Sequence, residues 1–203
     1  MKYAWEQMTE RRCVLLCLLV GVTASAFSQQ SAPLVERDTA VWKEFRSDEG
    51  GFLISFPGSP KAHVETSDAP GPKFELHIVS LTTTVEYSVM YADYPDVIND
   101  SNATLAKSVL DDGLRGAVAE MHSELLEVSA ISLDGHPGRL YREKMQDGSI
   151  LWGKTFLVGH RVYQIAVTTP GDVSLSEEVV RFYRTTAERV LNSFRLTRSK
   201  DPQ

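Results

Sequence analysis

Residues 125–168, LLEVSAISLDGHPGRLYREKMQDGSILWGKTFLVGHRVYQIAVT, decide how this chain folds. Three glycine-bearing turns, Asp134-Gly135-His136-Pro137, Gln146-Asp147-Gly148 and Gly159-His160, cut the stretch into four runs. The runs are Leu125 to Leu133, Gly138 to Met145, Ile150 to Val158 and Val162 to Thr168. Glycine tolerates the positive φ that a tight hairpin demands, so short apolar runs joined in this way predict four strands paired antiparallel. Working back from there, a second strand-rich region precedes a helix. Trp42 to Ser47 and Phe52 to Phe56 flank the turn residues Asp48-Glu49-Gly50-Gly51, and Pro57-Gly58-Ser59-Pro60 stops the second strand. The stretch onward to Pro72, rich in Pro, Gly and Asp, reads as loop. Phe74 to Thr83 and Val85 to Tyr94 then make a long antiparallel pair. In the second of these Val85, Tyr87, Val89 and Tyr91 alternate with Glu86, Ser88, Met90 and Ala92, one face apolar and the other mixed.

Two helices complete the pattern. Ser101 or Asn102 caps a helix reaching about His122, with Ala106, Val109, Leu110, Gly113, Leu114, Ala117, Val118 and Met121 on its 3.6-residue stripe. A second helix spans about Ser174 to Ser193. Ser174 with Glu177 makes a capping box, and Val179, Phe182, Tyr183, Thr186, Val190, Leu191 and Phe194 form its inner stripe. The predicted order is β-β-β-β-α-β-β-β-β-α, an α+β layered domain with a mainly antiparallel sheet covered by two long helices. Of 203 residues, 42% are hydrophobic and 24% charged, a globular composition that excludes disorder, collagen and coiled coil. One domain over residues 41–198 follows, with 199–203 a tail.

The N-terminus reads as an address. Arg11-Arg12 precede the uncharged run Cys13 to Val22, and Ala24-Ser25-Ala26 offers the small residues a signal peptidase reads. The run is shorter than the roughly 20 apolar residues that span a bilayer. Residues 1–26 are therefore expected to be a signal peptide and 27–40 a flexible lead-in, giving an exported, periplasmic or extracellular protein. The large residue Leu16 before Cys17 argues against a lipid anchor. Both cysteines, Cys13 and Cys17, fall inside the signal, so the exported chain has no thiol for a disulfide, a metal or nucleophilic catalysis. Without residues 1–26 the chain holds 18 basic and 25 acidic residues, a net −7. Such a body repels phosphate backbones, which excludes nucleic acid and leaves the membrane only a transient contact through the signal.

Motif-bearing chemistry is missing from the sequence. The histidines His63, His77, His122, His136 and His160 show no zinc-ligand spacing, no Gly-x-Ser-x-Gly is present, and Gly50-Gly51 opens a strand and not a helix. No catalytic residue, cofactor or metal site is assigned. Two segments are candidate ligand sites. Tyr91-Ala92-Asp93-Tyr94-Pro95-Asp96 leaves a strand end, and Asp93 and Asp96, with Asp100, could gather round Ca²⁺, although their spacing matches no known calcium loop. Gly138 to Lys144 places Arg139, Tyr141 and Glu143 on one strand face and Leu140, Arg142 and Lys144 on the other. Arg139 or Arg142 suits a bidentate carboxylate contact. The plainer reading of this second segment is a surface ladder of charges guarding a sheet edge. Asn99-Asp100-Ser101 and Asn102-Ala103-Thr104 are glycosylation sequons, which matter only in a eukaryotic secretory pathway.

The opening Phe45-Arg46-Ser47-Asp48-Glu49-Gly50-Gly51-Phe52-Leu53-Ile54-Ser55-Phe56-Pro57-Gly58 and the closing Asn192-Ser193-Phe194-Arg195-Leu196 resemble the PsbP-like (Mog/PsbP-type) family. The resemblance covers residues 42–197 and implies an α/β/α sandwich around an antiparallel sheet, with a short C-terminal strand after the last helix. Members of that family include photosystem accessory subunits, a Ran-binding branch and exported bacterial proteins, and it offers no shared catalytic residue to carry over. The expected function is that of an exported, non-catalytic accessory protein docking to an envelope or extracellular protein partner. The alternatives are a small-ligand or metal carrier, or a hydrolase whose site is built from scattered Asp, Glu, His and Arg.

Overall fold

The computed structural model describes residues 40–66, 75–95, 98–171 and 175–197. Along them run β1 (Lys43–Ser47), β2 (Phe52–Phe56), β3 (Lys61–Thr66), β4 (Glu75–Thr82), β5 (Glu86–Asp93) and α1 (Ala103–Met121). After these come β6 (Glu124–Leu133), β7 (His136–Lys144), β8 (Ile150–Val158), β9 (Arg161–Thr169), α2 (Glu177–Ser193) and β10 (Arg195–Leu196). The four-strand meander predicted for residues 125–168 is present, and β9 turns back to pair with β5, from Glu86↔Thr168 to Asp93↔Arg161. A seven-stranded sheet results, in the order β3-β4-β5-β9-β8-β7-β6, beside a three-stranded sheet β1-β2-β10. All pairs are antiparallel.

Each helix lies on its own face of the larger sheet. On one face Tyr87, Val89, Tyr91, Phe156, Tyr163, Ile165 and Val167 pack with Phe52, Ile54 and Phe56 of β2 and with Ala187, Val190 and Leu191 of α2. On the other, Met90, Ala92, Leu157 and Val162 meet Ala106, Val109 and Leu110 of α1, and Leu114 packs with Tyr141, Leu151 and Ala166. Burying a side chain such as Leu110 fully stabilises the fold by about 1.5–3 kcal/mol relative to leaving it in water. The mixed face expected for β5 is therefore buried as well, because Met90 and Ala92 lie under α1.

Local chemistry sets the helix ends. Asn102 Oδ1 accepts from the Leu105 amide at 3.0 Å, and the helix stops at His122, whose left-handed φ of 50° lets its own amide reach Ala119 O at 3.3 Å. In α2 the cap is Ser176, whose Oγ accepts from Val179 N at 3.4 Å, and not Ser174, which lies outside the described residues. Glu177 and Glu178 follow in the first turn, where negative charge meets the positive end of the helix dipole. Two further expectations need correction. Residues 61–66, read as loop, form the edge strand β3, from Lys61↔Ser80 to Thr66↔Glu75. All six of its side chains are exposed, so burial imposed no pattern to read. Phe182, expected inside, is 41% exposed, because it flanks the stripe that Tyr183, Ala187 and Val190 define. Among the described residues no helix is long and apolar enough to cross a membrane.

Candidate functional site

The end of β5 is held by ion pairing and ring stacking. Tyr91 is buried, and the ring of His77, its register partner on β4, stacks on it at 4.5 Å between centroids and 11° between planes. The Arg161 guanidinium lies 5.0 Å from the Tyr91 centroid. Opposite in register, Arg161 donates to both Asp93 carboxylate oxygens, from Nε at 2.6 Å and Nη2 at 2.7 Å. Its third donor, Nη1, reaches the Glu49 carbonyl at 2.8 Å, and the Tyr163 hydroxyl donates to the Gly50 carbonyl at 2.6 Å. These bonds tie the β1–β2 turn to the larger sheet. The hydrogen bonds from Arg161 hold the Asp93 carboxyl below the usual carboxylate range, and burial pushes the Tyr91 and Tyr163 hydroxyls up. The His77 nitrogens stand 3.7 Å from Glu49 and 3.8 Å from Glu75.

The other members of this candidate disperse. Tyr94 is buried, and its amide donates to His160 O at 2.8 Å. Asp96 lies outside the described residues. Asp100 pairs with His136 of the β6–β7 hairpin, while Asp93 pairs with Arg161. Among the described residues no group of three or more His, Cys, Asp or Glu side chains gathers to hold a metal ion. Arg161 already neutralises the Asp93 carboxylate.

The arginines of β7 lie on opposite faces, as the alternation predicts. Arg139 is 8% exposed and donates through Nε to Asp111 Oδ1 of α1 at 2.7 Å and through Nη1 to Gly138 O at 2.8 Å. Arg142 donates to Glu127 Oε1 at 2.6 Å, with its guanidinium 5.2 Å from the Trp152 ring centroid on the α2 side. The two do not converge on one carboxylate. Nor is β7 an edge ladder, because it runs between β8 and β6. Beneath α1 its inward row continues with Tyr141, whose hydroxyl accepts from Gln164 Nε2 at 2.8 Å, and Glu143, which accepts from Ser123 Oγ at 2.6 Å. Burial raises the Glu143 carboxyl above its ordinary range, against the downward pull of the Ser123 bond.

Among the described residues the edge on this side of the sheet is β6, a surface that sequence reasoning did not single out. Its ten residues are exposed from Glu124 to Ala130. Leu125 and Leu126 are each 37% exposed, Val128 51%, and Leu140 on the neighbouring strand 38%. Val128 shares the α1 side with its register partner Tyr141, while Ser129 shares the α2 side with Leu140, so apolar atoms rim both faces of the edge. A register shift between Leu125 and Glu127 marks a bulge near its start. The one sequence signal for this surface is the uncharged run Val128 to Leu133 in a strand with no alternation of polarity.

No family model matches the chain, and no curated protein matches it in sequence. Among solved structures it is similar to the solution structure of cyanobacterial PsbP (CyanoP) from Synechocystis sp. PCC 6803, with a TM-score of 0.52 and 14% identity, over 83% of this chain and 98% of that one. A crystal structure of PA94, a protein of unknown function from Pseudomonas aeruginosa, aligns over 71% of this chain and 94% of its own, with a TM-score of 0.36 and 14% identity. At 14% identity the likeness to CyanoP shows a PsbP-like fold and leaves the activity open.

Proposed function

We propose that this chain is an exported accessory protein, a PsbP-like α/β/α sandwich that docks to an envelope or extracellular protein partner. The observation that carries the reading is the long edge strand β6, where Leu125, Leu126 and Val128 are 37–51% exposed beside Leu140. Apolar groups held in water along an unpaired sheet edge are what a partner covers. The basic, apolar and small order of residues 11–26 supports export. In this reading Tyr91, Asp93 and Arg161 serve the fold, fastening the smaller sheet to the larger one.

The test combines fractionation with capture. Protein recovered from the exported fraction is expected to begin near Phe27 to Gln29, and retention of Met1 there would defeat export. The exported form, used as bait under mild crosslinking, is expected to retain one reproducible protein. Repeated capture of nothing, together with turnover in a substrate screen, would replace docking by an enzymatic role.

A further inference from the structure

We infer that β6 is an acceptor for an added strand: the partner lays an extended segment, apolar in the middle and basic at both ends, along β6 and lengthens the seven-stranded sheet to eight. The inference rests on the docking reading and names the chemistry of the partner. An edge strand points the amide and carbonyl groups of alternate residues away from the sheet, where they await hydrogen-bonding partners. At about 3.4 Å per residue, β6 offers such a row some 30 Å long.

The two edges of this sheet are managed differently. On β3 the charged or polar residues Lys61, His63 and Glu65 occur at every second position over six residues, a pattern that discourages pairing. Over Val128-Ser129-Ala130-Ile131-Ser132-Leu133, β6 carries no charge and no proline. Its bulge lies between Leu125 and Glu127, at one end, and leaves those six residues in unbroken register with β7. Val128 and Ala130 lie on the α1 side, opposite Tyr141 and Arg139, while Ser129 and Ile131 lie on the α2 side, opposite Leu140 and Gly138. An added strand would therefore find apolar neighbours for its side chains on both faces.

Charge selects the occupant. The uncharged run is bracketed by Glu124 and Glu127 at one end and Asp134 at the other. Glu127 remains 67% exposed although Arg142 bonds to it. Lysine or arginine at each end of the incoming segment would meet these carboxylates. A second copy fits badly. Antiparallel self-pairing that matches the uncharged runs places Val128 opposite Leu133, which sets Glu127 against Asp134 of the other copy at both ends. Like charges facing each other across strands destabilise the pair, and each body already carries a net −7.

The experiment uses the isotope-labelled exported protein and a blocked synthetic peptide of alternating valine and threonine with two lysines at each end. The expected result is chemical-shift change and slowed hydrogen exchange at alternate amides within Val128 to Leu133. The same peptide ended in glutamates is expected to bind at least about tenfold more weakly. Val128→Lys, at a position 51% exposed, is expected to keep the fold and abolish binding, and Ala130→Lys repeats the block at a second exposed site. Shifts confined to another surface, or equal binding by Val128→Lys, would overturn the inference. So would a dimer of the unmodified protein that Val128→Lys dissociates, which would make a second copy the occupant. If the crosslinked partner is captured equally by the unmodified protein and Val128→Lys, the docking reading survives and strand addition falls. Capture by neither removes the docking reading itself.

Discussion

Glu143 is 2% exposed, accepts one hydrogen bond from Ser123 and is pushed towards its protonated form by burial. In the unfolded chain the same carboxyl titrates near its ordinary value of about 4.3. Between that value and the raised one the folded state holds the proton more tightly, so stability declines as pH rises through this window. Glu143→Gln keeps the size and an acceptor oxygen but removes the charge. Urea midpoints of this variant are expected to exceed those of the unmodified protein at about pH 8, with the gap closing towards about pH 4. Equal midpoints at both would show that burial does not raise this carboxyl. Asp93 carries the opposite sign. Its folded value lies below the ordinary one because Arg161 hydrogen-bonds to it, so its contribution is present above about pH 4 and fades as pH falls through the depressed value. Arg161→Met breaks both of those bonds and the one to the Glu49 carbonyl. Asp93 is 46% exposed, so solvent already screens the pair, and the expected loss is modest, about 1–2 kcal/mol in chemical denaturation at neutral pH. The part of that loss owed to the Asp93 pair should shrink as pH falls through the depressed value, while the part owed to the Glu49 carbonyl bond persists.

At the scale of elements, close backbone approach governs the meander. A Cβ placed on Gly153 would stand 2.2 Å from Tyr141 Cζ, and that ring is buried and fixed by Gln164. Gly153→Ala is therefore expected to cost about 1–3 kcal/mol through overpacking, read as a lowered thermal midpoint, whereas an unchanged midpoint would mean that the ring yields freely. The strands on either side of this contact were legible in the sequence, because apolar runs cut by glycine turns leave few alternatives for residues 125–168. The α1 stripe was legible for the same reason of spacing, and Ala106, Val109, Leu110, Gly113, Leu114 and Ala117 are all buried. β3 was not, since a fully exposed strand is held by its backbone and its side chains are free of the alternation that burial imposes. The role of β6 was hidden differently. Being an edge is a property of strand order, and that order depends on β9 returning to pair with β5, some 70 residues away in sequence, which leaves β6 outermost. Arg139 was misjudged as a surface residue for the same reason: only the strand order places Asp111 of α1 above it.

Across the whole molecule the two sheets share one apolar core. Phe52 of the smaller sheet has its ring centroid 5.9 Å from Tyr91, 6.2 Å from Tyr163 and 5.4 Å from Phe194, and Phe194 stands 6.2 Å from Phe156. The chain enters that core through β1 and β2 and leaves it through α2 and β10, so Phe194 carries contacts from both ends of the described sequence. The smaller sheet buries Phe52, Ile54 and Phe56 only against the larger sheet and α2, whereas the larger sheet also packs against α1, so the smaller sheet depends on the larger one. One cooperative unfolding transition follows. The described residues hold two tryptophans that report on opposite ends of this arrangement: Trp42 precedes β1 and packs against Arg189 at 3.8 Å, while Trp152 sits within β8 beside Arg142. In Trp42→Phe and Trp152→Phe the remaining indole senses the larger or the smaller sheet respectively. Within each variant, urea curves followed by fluorescence and by far-ultraviolet circular dichroism are expected to coincide. Phe52→Ala should lower both curves together by about 3–5 kcal/mol, since it empties a fully buried site where the sheets meet. An earlier fluorescence transition in Trp152→Phe, with the dichroism of the seven-stranded sheet still intact, would mean that the smaller sheet unfolds by itself and that Phe52 and Phe194 do not bind the two into one unit.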